Sequence, residues 1–157
     1  MQKLINTFLE LAAIDEVHPN ENKVLEYVKN RLTAAGVPFV QDKTGNIVGR
    51  IKGVSDEALA MCGHVDIAAP LNGRQVVVTE EVIKTDGKSL LGGDDKTAVA
   101  VMLELADYIH AENLTPPRTL ELVFTVGEES GLVGAINFDM AMLTAKQMLV
   151  FDWSIIQ

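Results

Sequence analysis

Three apolar runs in this chain stop abruptly at ionisable residues, and that repetition limits the possible folds more than any other feature. "ALAMCG" runs into His64 and Asp66, "LELVFTVG" into Glu128 and Glu129, and "MLVF" into Asp152. Short apolar, β-branched runs bounded by turn residues read as core strands. Helical patterns surround them. Leu4, Ile5, Phe8, Leu9 and Ala12 recur at helical spacing, as do Val24, Leu25, Val28 and Leu32 in a segment that opens at "HPNE" and closes at Gly36. A third helix is expected from Asp95 to His110. Val99, Met102, Leu103, Ala106 and Ile109 share one face of it, and Ala98, Val101 and Leu105 widen that face, so it is expected to be covered on more than one side.

Further strands are expected in "VPFVQD" and "NIVGRIKG", joined by the turn "KTGN", with "GVSDE" as the turn that leads into "EALAMCG". "RQVVVTEEVIKTD" predicts a hairpin or a long kinked strand, and a short helix is expected around residues 132–138. This alternation predicts an α/β fold, an α/β/α sandwich with a mixed, mostly parallel central sheet, in which residues 1–157 form a single domain. At 157 residues and 48% hydrophobic, the chain can bury a substantial core.

Thirteen basic against twenty-two acidic residues give a net charge of −9, spread along the chain, which argues against nucleic acid and anionic membranes as partners. No segment approaches the ~20 apolar residues of a membrane span. The stretch "MQKLINTFLELAAI" lacks the continuous apolar centre of a signal peptide. A single cysteine, Cys62, excludes an internal disulfide and reads as a small core residue, and a cytoplasmic location is the expectation. His18 and His110 show no partner pattern and read as structural or surface residues.

In open α/β sheets ligands bind beyond the carboxyl ends of the strands, where His64, Asp66, Glu128, Glu129 and Asp152 are all expected. "GGDD" adds Asp94 and Asp95 where a glycine-rich loop enters a helix. Its continuation into Lys96 and Thr97 is not a phosphate loop, because Asp95 stands where glycine is required and the loop carries two negative charges. Taken singly, each motif has a blander reading as a cap, a solvated turn or a strand end. Together they crowd like charges into one crevice, and a bound cation removes that difficulty. One imidazole with several carboxylates suits zinc, with manganese or cobalt also compatible. His64 would ligate through one ring nitrogen while Asp66 accepts from the other. Glu128 and Glu129 point in different directions on extended backbone, so one can bind metal and the other act as general base in amide hydrolysis.

"GHVDIAAP", "LLGGDDKTAVA" and "TVGEESGLVGA", in that order, resemble the zinc-dependent exopeptidase family that includes peptidase T, glutamate carboxypeptidase and the aminoacylases. The "GGDDK" and "FTVGEESGLVGA" wording is most similar to the peptidase T branch. The resemblance implies a catalytic domain with two zinc ions bridged by an aspartate and a water. By it His64 and Asp152 bind the first zinc, Asp66 orients His64, Asp94 bridges, Glu128 is the general base and Glu129 binds the second zinc. It implies an aminopeptidase (tripeptidase) that cleaves short peptides by zinc-activated water. A deacylase of N-acyl amino acids is the alternative, or a non-catalytic remnant that binds metal or a partner.

Family members are more than twice as long and carry a further histidine ligand and a lid domain used for dimerisation. The chain is therefore expected to be the N-terminal part of such a catalytic domain, with one zinc or none where the family holds two, impaired turnover and exposed sheet edges that favour self-association. Trp153 and the tail "WSIIQ" depart from the small residues that usually follow in the family.

Overall fold

The computed structural model describes residues 2–70 and 74–152, so the Trp153 tail lies outside the described residues. Helices α1 (Gln2–Ala12) and α2 (Asn22–Ala34) form where the periodicity places them, and α2 buries all four of Val24, Leu25, Val28 and Leu32. Glu16 caps α2 from the preceding loop, its Oε2 accepting the Lys23 and Val24 amides at 2.7 and 3.0 Å.

The central sheet contains β1 (Phe39–Gln41), β2 (Ile47–Ile51), β3 (Ser55–His64), β6 (Arg118–Thr125) and β7 (Met148–Val150), in the order β1-β2-β6-β3-β7. Strand β2 runs antiparallel to β1 and β6, whereas β3 is parallel to both β6 and β7. The sheet is mixed as predicted, with β2 opposed to the other strands. "KTGN" closes the β1–β2 hairpin, but the turn before β3 makes no hairpin, because β6 pairs between β2 and β3. "RQVVVTEEVIKTD" resolves as a hairpin of β4 (Val76–Val78) and β5 (Ile83–Thr85) in a sheet of its own.

Helix α3 (Gly93–Ala111) is the centre of the core. It packs on β3 with one side and on α1 and α2 with others, which explains its broad apolar surface. Val99, Ala100, Met102, Leu103 and Ala106 join Ile47, Leu122 and Phe124 of the sheet in the main cluster. The opposite face of the sheet, with Val48, Ala60 and Val123, is covered by Phe138, Met142, Leu143 and Ala145. That second layer is thin among the described residues. It consists of the single-turn helix α4 (Val133–Ile136), a 3-10 turn at Met140–Met142 and the connecting chain. No helix is long and apolar enough to cross a membrane among the described residues.

One buried carboxylate fastens that layer to the sheet. Glu121 of β6 is fully buried and accepts from Arg50 Nη2 at 2.7 Å, from Thr144 Oγ1 at 2.7 Å and from the amides of Thr144 and Ala145 at 3.1 and 3.0 Å. Burial alone would raise its pKa, but these donors outweigh burial and hold it below the ordinary glutamate value. Glu121→Ala leaves the donors without their acceptor and is expected to cost about 3 kcal/mol, the low end for a broken buried pair because Arg50 reaches water. Urea denaturation at neutral pH checks this as a lower midpoint. A native pKa below the unfolded one stabilises above the ordinary glutamate range and is lost as pH falls through the native value, so the difference between wild type and variant must shrink in acid. An equal gap at both pH values contradicts the assignment.

Candidate metal centre

Parallel register decides which strand ends meet. Cys62 of β3 stands opposite Val123 of β6 and Val150 of β7, and His64 stands opposite Thr125. Two residues beyond Cys62 the chain presents His64, two beyond Val150 it presents Asp152, and three beyond Thr125 it presents Glu128. Alignment of the ladder therefore brings distant residues to one rim.

His64 is buried, at 3% exposure, and its two ring nitrogens face different partners. Nδ1 lies 3.2 Å from the Asp66 carbonyl oxygen and 3.4 Å from Asp66 Oδ1. Nε2 lies 3.0 Å from Asp94 Oδ1 and 3.8 Å from Glu128 Oε2. Burial pulls the ring toward its neutral form, but the hydrogen bond and charge of Asp66, followed by Asp95 and Asp94, push its pKa up to about 9.

Asp66 does more than orient an imidazole. It is fully buried, its Oδ1 accepts the Glu128 amide at 3.0 Å, and its Oδ2 accepts the Glu129 amide at 3.1 Å. Burial alone would raise its pKa; His64 and the two amides outweigh that and hold it low. The carboxylate thus joins the end of β3 to the turn after β6.

The α3 start is built differently from a plain capped helix. Asp94 and Asp95 have non-helical backbone angles and are joined by a cis peptide, and Gly92 before them has φ +75°. Asp95 is buried, accepts the Ala98 amide at 3.3 Å and, through its other oxygen, the His64 amide at 3.3 Å. Burial pushes its carboxyl up to about 7 against the opposing charge of His64. Close approach here requires Gly63, where a Cβ would fall 2.7 Å from Asp95 Oδ2 and 2.9 Å from Ala98 Cβ. Lys96 is wholly buried and its ammonium donates to the Ile14 carbonyl, with burial drawing its pKa down to about 8. Asp94 is left with its side chain 40% exposed toward the cluster.

Both Glu128 and Glu129 have raised pKa values, caused first by burial and then by neighbouring carboxylates, against the opposing charge of His64. One ligand atom each from His64, Glu128 and Glu129 lies within 4.8 Å of the others, and so does one each from His64, Asp94 and Asp152. Every candidate from the sequence is therefore brought to one place, with His64 common to both groups. The donor set, a single imidazole nitrogen among carboxylate oxygens, suits a divalent transition ion. A cleft of about 700 Å³ opens beside it, lined by Leu91, Asp94, Val101, Phe151 and Asp152 among others. Burial pushes the Cys62 thiol up to about 11, which disfavours its thiolate form.

Sequence reasoning missed the residues that support these side chains. Asn46, fully buried, donates to Asp42 Oδ2 at 2.7 Å and to the Gly134 carbonyl at 3.0 Å while its Oδ1 accepts the Val126 amide at 3.2 Å. Glu21 accepts the Gly127 amide, and His18, which showed no partner in the sequence, pairs with Glu21. Such contacts span 80 and 106 residues and carry no local pattern; only a polar residue in a turn hinted at Asn46.

Comparison with known proteins agrees with this geometry. The chain is 34% identical to the uncharacterised protein YqjE of Bacillus subtilis strain 168 over 96% of its length, and covers 43% of that protein. Its fold matches a tripeptidase from Staphylococcus aureus subsp. aureus Mu50 at a TM-score of 0.89 and 32% identity, over 98% of this chain and 43% of the other. Aminopeptidase PepT from Bacillus cereus ATCC 10987 matches at a TM-score of 0.89 and 31% identity, again over 98% and 43%. The chain thus spans about two fifths of these relatives, and the resemblance to peptidase T read from the motifs is borne out. The model of peptidase family M28 matches residues 46–152, a stretch that takes in every residue of the cluster, and the chain belongs to that family.

Proposed function

We propose that this chain carries the metal-binding site of an aminopeptidase that removes the N-terminal residue of short peptides. The observation that carries this reading is the convergence of His64, Asp94, Glu128, Glu129 and Asp152 on one rim of the sheet. Membership of a peptidase family and likeness to proteins described as a tripeptidase and an aminopeptidase support it.

In this reading His64 through Nε2, Asp94, Glu129 and Asp152 would hold zinc. When bound, the metal acidifies a water and polarises the scissile carbonyl. With metal in place of the Nε2 proton that faces Asp94, Asp66 would keep the His64 proton on Nδ1. Glu128 takes the proton of the attacking water and delivers it to the departing amine. The cleft beside Asp94 and Asp152 receives a substrate side chain, and its Leu91, Val101 and Phe151 lining favours an apolar one.

The reading is tested by titrating the purified chain with zinc. Wild type is expected to bind, and His64→Ala to lose binding; no zinc uptake by wild type contradicts the proposal. Peptide hydrolysis by the zinc-loaded chain is expected to stop with a chelator and to fall about 10²–10⁴-fold in Glu128→Gln. Turnover unchanged by either contradicts it.

Asp66→Asn separates orientation from ligation. Asparagine offers one acceptor oxygen to two amides and places no charge behind His64 Nδ1, so zinc affinity is expected to fall about 10–100-fold without vanishing. Calorimetry reads this directly, and an unaltered affinity removes the role given to Asp66.

A further inference from the structure

Four consecutive amides after β6 are received by side chains and not by a strand. Asn46 Oδ1 accepts from Val126 at 3.2 Å, Glu21 Oε1 from Gly127 at 3.0 Å, and the two Asp66 oxygens from Glu128 and Glu129 at 3.0 and 3.1 Å. Three elements far apart in the chain thus hold one turn. The turn carries the two glutamates whose carboxylates face His64.

Glu21 is the least expected of these three. It stands at the N-cap of α2, yet its side chain makes no cap hydrogen bond, because Glu16 already caps that helix. It is 4% exposed and reaches Gly127 across 106 positions of sequence. Burying a carboxylate there is unfavourable unless donors meet it. Its Oε1 accepts from His18 Nδ1 at 2.8 Å as well as from Gly127. The His18 ring also packs on the turn itself. A Cβ at Gly127, whose φ is +60°, would lie 2.7 Å from His18 Nδ1, so only glycine lets the backbone rest against the ring.

We propose that Glu21, backed by His18, is a positioning residue that holds the Gly127 amide and thereby sets the direction in which Glu128 and Glu129 project at the metal site. Without it the turn keeps the Asp66 and Asn46 bonds and the Val133 amide on the Gly127 carbonyl, but the Gly127 amide loses its acceptor. The backbone that leads into the two glutamates is then held by fewer bonds, and their aim at His64 loosens. This inference rests on the metal-site reading above.

The test uses the whole chain with cobalt(II) as probe, comparing wild type, Glu21→Ala and Glu21→Gln. In the metal-free state, amide hydrogen exchange of Gly127, Glu128 and Glu129 is expected to quicken at least tenfold in Glu21→Ala while Leu122 and Phe124 in β6 stay protected. Cobalt affinity is expected to drop about tenfold, the low end for loss of an outer hydrogen-bond partner. Glu21→Gln retains an acceptor for the Gly127 amide and is expected to restore both readouts to within a few fold of wild type. Exchange that quickens equally across β6, or cobalt affinity unmoved in Glu21→Ala while wild type binds tightly, overturns the positioning role and leaves the metal site standing. Wild type that binds no cobalt overturns the metal-site reading and this role with it. Should Glu21→Ala fail to fold, Glu21→Gln against His18→Ala decides. Faster exchange confined to residues 127–129 in His18→Ala supports the role, and its absence overturns it.

Discussion

The parallel ladder of β6, β3 and β7 is the constraint on which the rest of this molecule depends. Residues 60–62 of β3 pair with 148–150 of β7, and 58–64 pair with 119–125 of β6. A slip of one residue in either pairing would turn His64, Asp152 or the Glu128 turn away from the others, because side chains alternate between faces. The apolar faces prevent that slip: Leu122 and Phe124 must meet the helices while Val123 must meet the thin layer on the far side. Core packing and site geometry are thus set by the same register.

A cluster of carboxylates at a strand rim is unstable by itself, and the structure meets the problem with fixed donors. Asp66 takes two backbone amides, Asp95 takes two more, and Glu21 takes another from a segment beside the same turn. These carboxylates are the buried ones, and each is turned inward to hold backbone. Asp94, Glu128, Glu129 and Asp152 are the more exposed, and they face one another across His64 with no such set of donors among the described residues. The division between inward-facing and site-facing carboxylates follows from burial, and it separates residues that shape the site from residues available to a cation.

Much of this was legible in the sequence, for physical reasons that can be named. Helices α1, α2 and α3 each have a strong apolar period, and strands β3, β6 and β7 are apolar runs that end in charge, so both the layers and the rim could be read. The insertion of β6 between β2 and β3 could not, since strand order depends on long-range pairing and the turn before β3 looks like any hairpin turn. At the site, residues with chemistry at strand ends stood out, and all of them converge. The supports did not stand out. Glu21 lay unremarked in "HPNE", His18 read as a structural or surface residue, and Asp95, placed at the rim with Asp94, gave no sign of holding the His64 amide, because Glu21 and Asp95 act on partners 106 and 31 residues away and His18 acts through Glu21.

The central claim is that divalent ions sit among His64, Asp94, Glu129 and Asp152. Anomalous diffraction at the zinc absorption edge, from crystals of this chain grown with zinc, tests it most directly. The account predicts an anomalous peak within coordination distance of His64 Nε2 and Asp94, with Asp152 or Glu129 completing the set. Zinc bound elsewhere on the surface, with His64 still paired only to Asp66 and Asp94, would contradict it.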